Sequence, residues 1–152
     1  MKHLLIILSL FLFSFTYISC SSSDSGSSTT STTSDNDSTT DDNSTYSDNG
    51  TTFTVTVSSS KYYIDGILTK SLTLKKGYTY FFDSTDSTTN NHPLFIGTTS
   101  TGGSYTYEYT SGVTNSRTTT ETLTFIVPSD SPSTLYYNCG NHAAMGGKIT
   151  IL

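Results

Sequence analysis

The sequence predicts an all-β domain, a sandwich or barrel of antiparallel strands, over residues 53–152. Apolar and polar residues alternate from the start of this region, where Phe53, Val55 and Val57 are separated by threonines. This period of two is typical of a half-buried strand. Similar short segments follow, separated by Gly, Asn, Asp and Ser, which are turn residues. We find no apolar stripe of helical length and spacing in this region.

Further strands are expected at residues 62–64, 67–74, 78–82, 94–96, 105–109, 123–127, 135–139 and 148–152. In the strand at 105–109 the alternating tyrosines are interpreted as one packed sheet face. In the strand at 135–139 alternation places Tyr137 and Cys139 on the same face, which we take as the inward one. Cys139 is therefore expected to be buried at a strand end.

The chain begins with a segment typical of an export signal, over residues 1–19. Lys2 supplies the positive start, and residues 4–17 are almost uninterrupted apolar residues, too few to span a bilayer comfortably. We therefore expect an exported protein, in the periplasm or at the cell surface.

Cys20 directly follows this segment, in the run Tyr17-Ile18-Ser19-Cys20. The run resembles the cleavage box of bacterial lipoproteins, in which a small residue such as Ser19 precedes the cysteine. Position 17 departs from that pattern, because a leucine is usual there. The resemblance implies that Cys20 carries a lipid and attaches the protein to a membrane. The alternative is a cleaved or retained signal with a free thiol at Cys20.

Residues 20–52 are expected to form a disordered tether, because after Cys20 they are almost entirely Ser, Thr, Asp, Asn and Gly. Every charged residue in this segment is acidic, and the whole chain has a net charge of −5. The folded region has no basic cluster or stripe. We therefore predict no nucleic-acid partner.

The potential metal ligands of the folded region are few. The chain has two cysteines, two methionines and three histidines in total, and residues 53–152 contain only Cys139, Met145, His92 and His142 of these. Thiolate and thioether are soft ligands, and together with two imidazoles they suit copper. Structural zinc sites make little use of methionine. A lone cysteine in an exported domain is at risk of oxidation, and metal ligation gives a reason for its presence.

The run Tyr137-x-Cys139-x2-His142-x2-Met145, followed by the glycines and strand of residues 146–151, resembles the copper-binding loop and last strand of the cupredoxins. The spacing is that of the short loop found in amicyanin. His92 stands just before a predicted strand, where the family places its first ligand. The resemblance covers about the last hundred residues and implies a Greek-key β-sandwich.

By this resemblance the protein holds one type 1 copper ion, with His92, Cys139 and His142 as equatorial ligands and Met145 as the axial ligand. It also implies a monomeric one-electron carrier that cycles between Cu(I) and Cu(II), with His142 as the port for electrons. Its partners would then be redox proteins that dock weakly. One feature departs from the family. Many cupredoxins have an asparagine after the first histidine to brace the thiolate, whereas Pro93 stands here, so the brace is unassigned.

Several copper chemistries do not fit this sequence. A binuclear centre of the respiratory oxidase type needs two cysteines in the loop, and only Cys139 is present. A trinuclear oxidase cluster needs His-x-His pairs, and covalent haem needs a Cys-x-x-Cys-His motif; neither is present. We therefore predict no enzyme activity. Two alternatives remain open: a surface-tethered protein that binds or delivers copper without redox turnover, and a metal-free interaction module.

Overall fold

The computed structural model describes residues 46–152, and its regular structure is almost entirely β. The regular elements of these residues are ten strands and one 3-10 turn at Ser87–Thr89. The strands are β1 (Thr52–Ser58), β2 (Lys61–Ile64), β3 (Ile67–Leu68), β4 (Leu72–Leu74), β5 (Thr79–Asp83), β6 (Leu94–Gly97), β7 (Val113–Thr114), β8 (Thr122–Ile126), β9 (Thr134–Cys139) and β10 (Gly147–Ile151). Residues 46–152 contain no helix that is both long and apolar enough to cross a membrane.

The strands form two sheets, with the orders β3-β2-β1-β5-β8-β7 and β4-β10-β9-β6. Most neighbours are antiparallel, but β1 pairs with β5 and β4 pairs with β10 in parallel. Strands distant in sequence are therefore neighbours, as in Greek-key sandwiches. The predicted all-β Greek-key sandwich is confirmed, but its sheets are mixed and not purely antiparallel as expected.

One hydrophobic core joins the two sheets, and it explains why the apolar positions alternate. In β1, Phe53 and Val55 are buried while Thr52 and Thr54 are exposed. In β9, Leu135, Tyr137 and Cys139 are buried as predicted, each with no exposed surface. The aromatic rings of this core include Tyr62, Tyr80, Phe82, Phe125 and Tyr137, all with no exposed surface.

Two of the strand predictions are wrong. Residues 105–109 form a turn, and their one β-bridge to β6 is the isolated pair of Gly97 and Glu108. Its tyrosines share no sheet face, because Tyr105 packs on Phe95, Tyr109 packs on Phe125, and Tyr107 remains 54% exposed. The predicted strand at 67–74 is interrupted by a turn, where Thr69 has a φ of 42°, and divides into β3 and β4. β7 was not predicted.

The predicted tether and the domain meet at a different place than expected. Before β1, residues 46–51, which we call the N-terminal clasp, already pack on the domain. Ser47 donates its amide to the carbonyl of Thr73 at 2.8 Å and accepts the Tyr80 hydroxyl at 2.8 Å. The Tyr46 ring meets Tyr78 edge-on at 5.9 Å. The predicted boundary at Phe53 is therefore too late, because backbone hydrogen bonds hold this polar segment in place.

Residues 1–45 lie outside the part of the chain that the structure describes. The predicted signal segment, the lipidation at Cys20 and most of the predicted tether therefore stay predictions. The N-terminal clasp lies at the end of the sandwich where β10 finishes, since Leu152 exchanges backbone hydrogen bonds with Leu74 and Lys76 there. β10 begins at the other end, immediately after Met145 and Gly146.

Candidate metal centre

His92 is positioned by a short 3-10 turn and by the start of β6. Asp86 caps the turn by accepting the amide of Thr88 at 2.9 Å. The amide of His92 then donates to the carbonyl of Thr89 at 2.8 Å. Asn91 has a φ of 68°, in the left-handed region that asparagine tolerates better than most residues. The chain thereby turns sharply before β6, and His92 comes next to the strand that carries the cysteine.

Cys139 is the last residue of β9 and is a free cysteine with no exposed surface. The register between β6 and β9 pairs it with Leu94, two residues after His92. The amide of Gly140 donates to the carbonyl of Pro93 at 2.9 Å, and the amide of Gly103 donates to the carbonyl of Cys139 at 2.9 Å. Three separate segments of the chain thus meet around the thiol.

The loop from Gly140 to Gly146 carries His142 and Met145. It is held from two sides, because the Asn141 side chain donates to the carbonyl of Asn91 at 2.8 Å and the Ala144 amide donates to the carbonyl of Thr101 at 2.8 Å. A β-carbon on Gly146 would overlap the carbonyl of Tyr137, so the loop can rejoin β10 only through a glycine.

The three ligand atoms of His92, Cys139 and His142 all lie within 4.8 Å of one another. The Cys139 sulfur is 3.9 Å from Nδ1 of His92 and 3.6 Å from Nδ1 of His142. The two imidazole rings have centroids 4.8 Å apart. Both histidines retain some solvent exposure. Burial and the neighbouring His142 lower the pKa of His92, which keeps its ring neutral and able to bind a metal.

This geometry fits one transition-metal ion. Metal–sulfur and metal–nitrogen bonds of about 2.3 and 2.0 Å, at tetrahedral to trigonal angles, separate the two ligand atoms by about 3.5–3.7 Å. The observed separations of 3.6 and 3.9 Å are close to that range. One thiolate and two neutral imidazoles form a donor set that first-row transition metals accept.

The structure therefore brings together three of the four residues predicted as ligands. Met145 is buried with no exposed surface and belongs to the same core cluster as Cys139. Its carbonyl accepts the amide of Tyr62 at 3.0 Å. The axial role of its thioether stays a prediction.

The sequence analysis missed a cluster beside the site, formed by Tyr105, Glu108, Ser116 and Arg117. Tyr105 packs against Gly140, where a β-carbon would overlap the phenol. The Arg117 guanidinium lies 4.2 Å from the centre of the Tyr105 ring and 2.6 Å from Glu108, whose side chain is 7% exposed. Burial opposes ionisation of Glu108, but hydrogen bonds from Arg117 and Ser116 outweigh it, so the pKa of this carboxyl is lowered.

This cluster contacts the ligand loop where Tyr105 packs on Gly140. It was missed because its hydrogen bonds join residues that are 8 or 9 positions apart, in a region with no apolar periodicity. The tyrosine alternation at 105–109 instead suggested a strand.

Comparison with known proteins gives little sequence similarity. No protein-family model matches the chain, and no curated protein matches it. Among solved structures, the crystal structures of two rusticyanin variants match with a TM-score of 0.43 and 15% sequence identity, covering 70% of this chain and 80% of that one.

Proposed function

We propose that this protein binds one copper ion through His92, Cys139 and His142, with Met145 as the axial ligand, and carries single electrons outside the cytoplasm. The observation that carries the proposal is the placement of one buried thiol and two imidazoles within 4.8 Å of one another. The donor set supports copper because thiolate and imidazole bind it strongly. In the part of the chain that the structure describes, no other His, Cys, Asp or Glu group is grouped closely enough for a metal.

Copper supplies a one-electron couple when it is bound, and the residues of the chain determine how that couple is used. Cys139 lies at the end of a strand and has no exposed surface, so its sulfur is shielded from water and oxidants. Backbone hydrogen bonds join the His92 segment, the Cys139 strand and the loop. Ligands fixed in this way move little when the charge at the site changes, and this lowers the barrier to electron transfer.

His142 is the ligand best placed to exchange electrons with a partner. It lies in the loop with Ala143 and Ala144, which are both exposed and small. A partner can therefore approach the imidazole edge closely without displacing bulky side chains. We propose that redox proteins dock here through a small and weak interface, from which a carrier can dissociate quickly. The domain would act as a monomer and as a carrier, not as an enzyme.

Attachment to a membrane through lipid on Cys20 completes the proposal, at the periplasmic or outer surface of the cell. It is supported by the signal-like residues 1–19 and by the lipoprotein-type run that ends at Cys20. Mass analysis of the mature N-terminus tests this step separately. A mature chain that retains residue 19, or an unmodified thiol at Cys20, would contradict it.

The copper site is tested by the visible spectrum of the purified full chain after addition of Cu(II). A copper–thiolate bond gives an intense charge-transfer band, and Cys139→Ser should abolish it. Cys20→Ser is the matched control, because it removes the other cysteine of the chain and should leave the band unchanged. A colourless complex in the unmodified protein would contradict the type 1 assignment.

Replacement of Met145 with glutamine tests the axial ligand. The variant should still bind copper, with a changed reduction potential, because a weak axial ligand tunes the potential more than the affinity. Voltammetry and metal analysis measure the two effects. Complete loss of copper, or an unchanged potential, would contradict an axial role.

A second candidate function is copper binding or delivery without redox turnover, and the solvent exposure of both histidines favours it, because it offers a receiving protein access to the metal. Electron self-exchange and the rate of copper release to a chelator distinguish the two functions. Fast exchange with slow release supports the electron carrier, and the reverse supports delivery. A chain that takes up no copper would favour a metal-free interaction module.

A further inference from the structure

Tyr62 contacts all three segments that carry the predicted metal ligands. It stands in β2, near the ligand loop, and has no exposed surface. Its hydroxyl donates to the carbonyl of His92 at 2.7 Å, and its amide donates to the carbonyl of Met145 at 3.0 Å. Its ring lies 6.2 Å from that of Tyr137, two residues before Cys139. One side chain and its backbone thus link the three parts of the chain that carry the ligands.

Burial and the nearby Cys139 raise the pKa of Tyr62. The phenol therefore stays protonated, and its one hydrogen is donated to the carbonyl of His92. Groups outside the ligand set that fix the orientation of a ligand tune the properties of the metal through that ligand.

The other groups beside His92 and Cys139 have different partners. Pro93, which follows the first ligand, has no amide hydrogen to offer. The amide of Gly140 is bound to the carbonyl of Pro93, and the Asn141 side chain is bound to the carbonyl of Asn91. Tyr105 packs on the side of Gly140 and Arg117. Tyr62 is the tyrosine whose hydroxyl donates to the carbonyl of a predicted ligand residue.

We propose that Tyr62 is the brace of this site: its hydroxyl and its amide hold the His92 segment and the Met145 end of the ligand loop together, and so fix the position of the His92 imidazole. Tyr62 is a positioning residue, since it acts through His92. The inference rests on the proposed copper function. It assigns to a residue of β2 the task of joining the ligand segments, to which Pro93 contributes no amide hydrogen.

Tyr62→Phe tests the proposal, because it removes the hydroxyl and leaves the ring. Tyr137→Phe is the matched control. Tyr137 is equally buried, and its hydroxyl also donates to a backbone carbonyl, that of Lys70 at 2.9 Å, which is not a ligand residue. Both variants lose one buried tyrosine hydrogen bond. Only Tyr62→Phe loses it at the metal centre.

In the copper-loaded full chain, Tyr62→Phe should change the reduction potential and shift the charge-transfer band, because the His92 imidazole is no longer fixed by the hydrogen bond to its carbonyl. Copper affinity should fall about 10-fold or more, as for other groups that orient ligands. Tyr137→Phe should leave the potential, the band and the affinity unchanged. If the two variants have the same spectra and potentials as the unmodified protein, the proposal is overturned.

A metal-free measurement separates this inference from the proposed function. In carbon-detected NMR of the protein without copper, Tyr62→Phe should shift the carbonyl resonance of His92 upfield, and Tyr137→Phe should shift that of Lys70 instead. This result supports the brace even if the unmodified chain proves to bind no copper, an outcome that would contradict only the copper function. An unchanged His92 carbonyl in Tyr62→Phe would overturn the brace.

Discussion

The two ends of the sandwich are held together in different ways. At the metal end, hydrogen bonds connect segments that are far apart in sequence, as between Asn141 and Asn91 or between Gly140 and Pro93. At the opposite end, the N-terminal clasp combines such bonds with half-buried ring contacts, in which Lys75 lies 4.6 Å from the centre of the Tyr46 ring. The ligand segments at the metal end are therefore held by hydrogen bonds of fixed geometry. The clasp is also held on the domain by ring contacts, which tolerate small movements.

The first prediction compares a glycine at each end and has the largest expected effect. Gly146→Ala should destabilise the protein by about 3 kcal/mol, because its β-carbon would overlap the carbonyl of Tyr137 and overpacking against backbone is not easily relieved. Gly77→Ala, at the clasp end, has open space and should cost only about 1 kcal/mol for its φ of 79°. Urea unfolding measures both. Equal losses would show that the metal end is as adaptable as the other.

The second prediction concerns the buried carboxylate beside the ligand loop. Glu108→Gln should cost about 1–2 kcal/mol at pH 7, because Arg117 and Ser116 lose a charged acceptor. The lowered pKa of Glu108 sets the sign of the pH dependence. The ion pair contributes fully above the carboxyl's ordinary pKa of 4.5, and its contribution is lost as pH falls through the lower, folded value.

The difference in stability between Glu108→Gln and the unmodified protein should therefore shrink in acid. Unfolding of the metal-free protein at several pH values between 3 and 7 measures it. Asp86→Asn gives a comparison outside this cluster, in the turn before His92. Hydrogen bonds from Thr88 lower the pKa of the Asp86 carboxyl as well, so the stability difference for this variant should also shrink in acid. A difference that grows in acid would contradict the pairing.

The third prediction concerns the link between the ligand loop and the His92 segment. Asn141→Ala should cost about 1 kcal/mol, as expected for one hydrogen bond, and should also speed the release of copper. Asn115→Ala removes a similar side-chain bond, to the carbonyl of Thr122 at 3.2 Å, away from the site. It should leave copper release unchanged. Chelator competition on both variants measures the rate, and equal release rates would contradict a bracing role for Asn141.

The fourth prediction has the smallest effect and concerns the clasp. Tyr46→Ala should cost less than about 1 kcal/mol, since the contacts it removes, with the Tyr78 ring and with Lys75, are partly exposed to solvent. It should leave the copper spectrum and potential unchanged, because β10 separates the clasp from the ligand loop. Thermal unfolding and voltammetry measure the two properties. A shifted potential would show that the ends are coupled.

Much of this structure follows from local patterns in the sequence. The alternation in β1 and β9 predicts those strands, and the burial of Cys139 follows from its position two residues after Tyr137. The Cys-x2-His spacing of the loop resembles that of a copper-binding loop, and this resemblance identifies Cys139 and His142 as candidate ligands.

The supporting residues could not be predicted in the same way. Tyr62 reaches His92 across 30 positions, and Lys70 reaches the Tyr137 hydroxyl across 67, so no local pattern contains either bond. The alternation of Tyr105, Tyr107 and Tyr109 resembles a strand, but these residues form a turn in which the buried carboxylate of Glu108 pairs with the more exposed Arg117. The clasp was missed because its segment has no apolar alternation, and its partners Thr73, Tyr78 and Tyr80 lie about 30 positions later in the chain.

The position of the clasp fixes where the upstream chain joins the domain. The chain enters at Tyr46, at the end where β10 finishes, whereas His142 lies at the end where β10 begins. If the protein is held through Cys20, as proposed, its point of attachment and the proposed port for electrons lie at opposite ends of the sandwich. Attachment to a surface and docking of a partner would then use different faces of the domain.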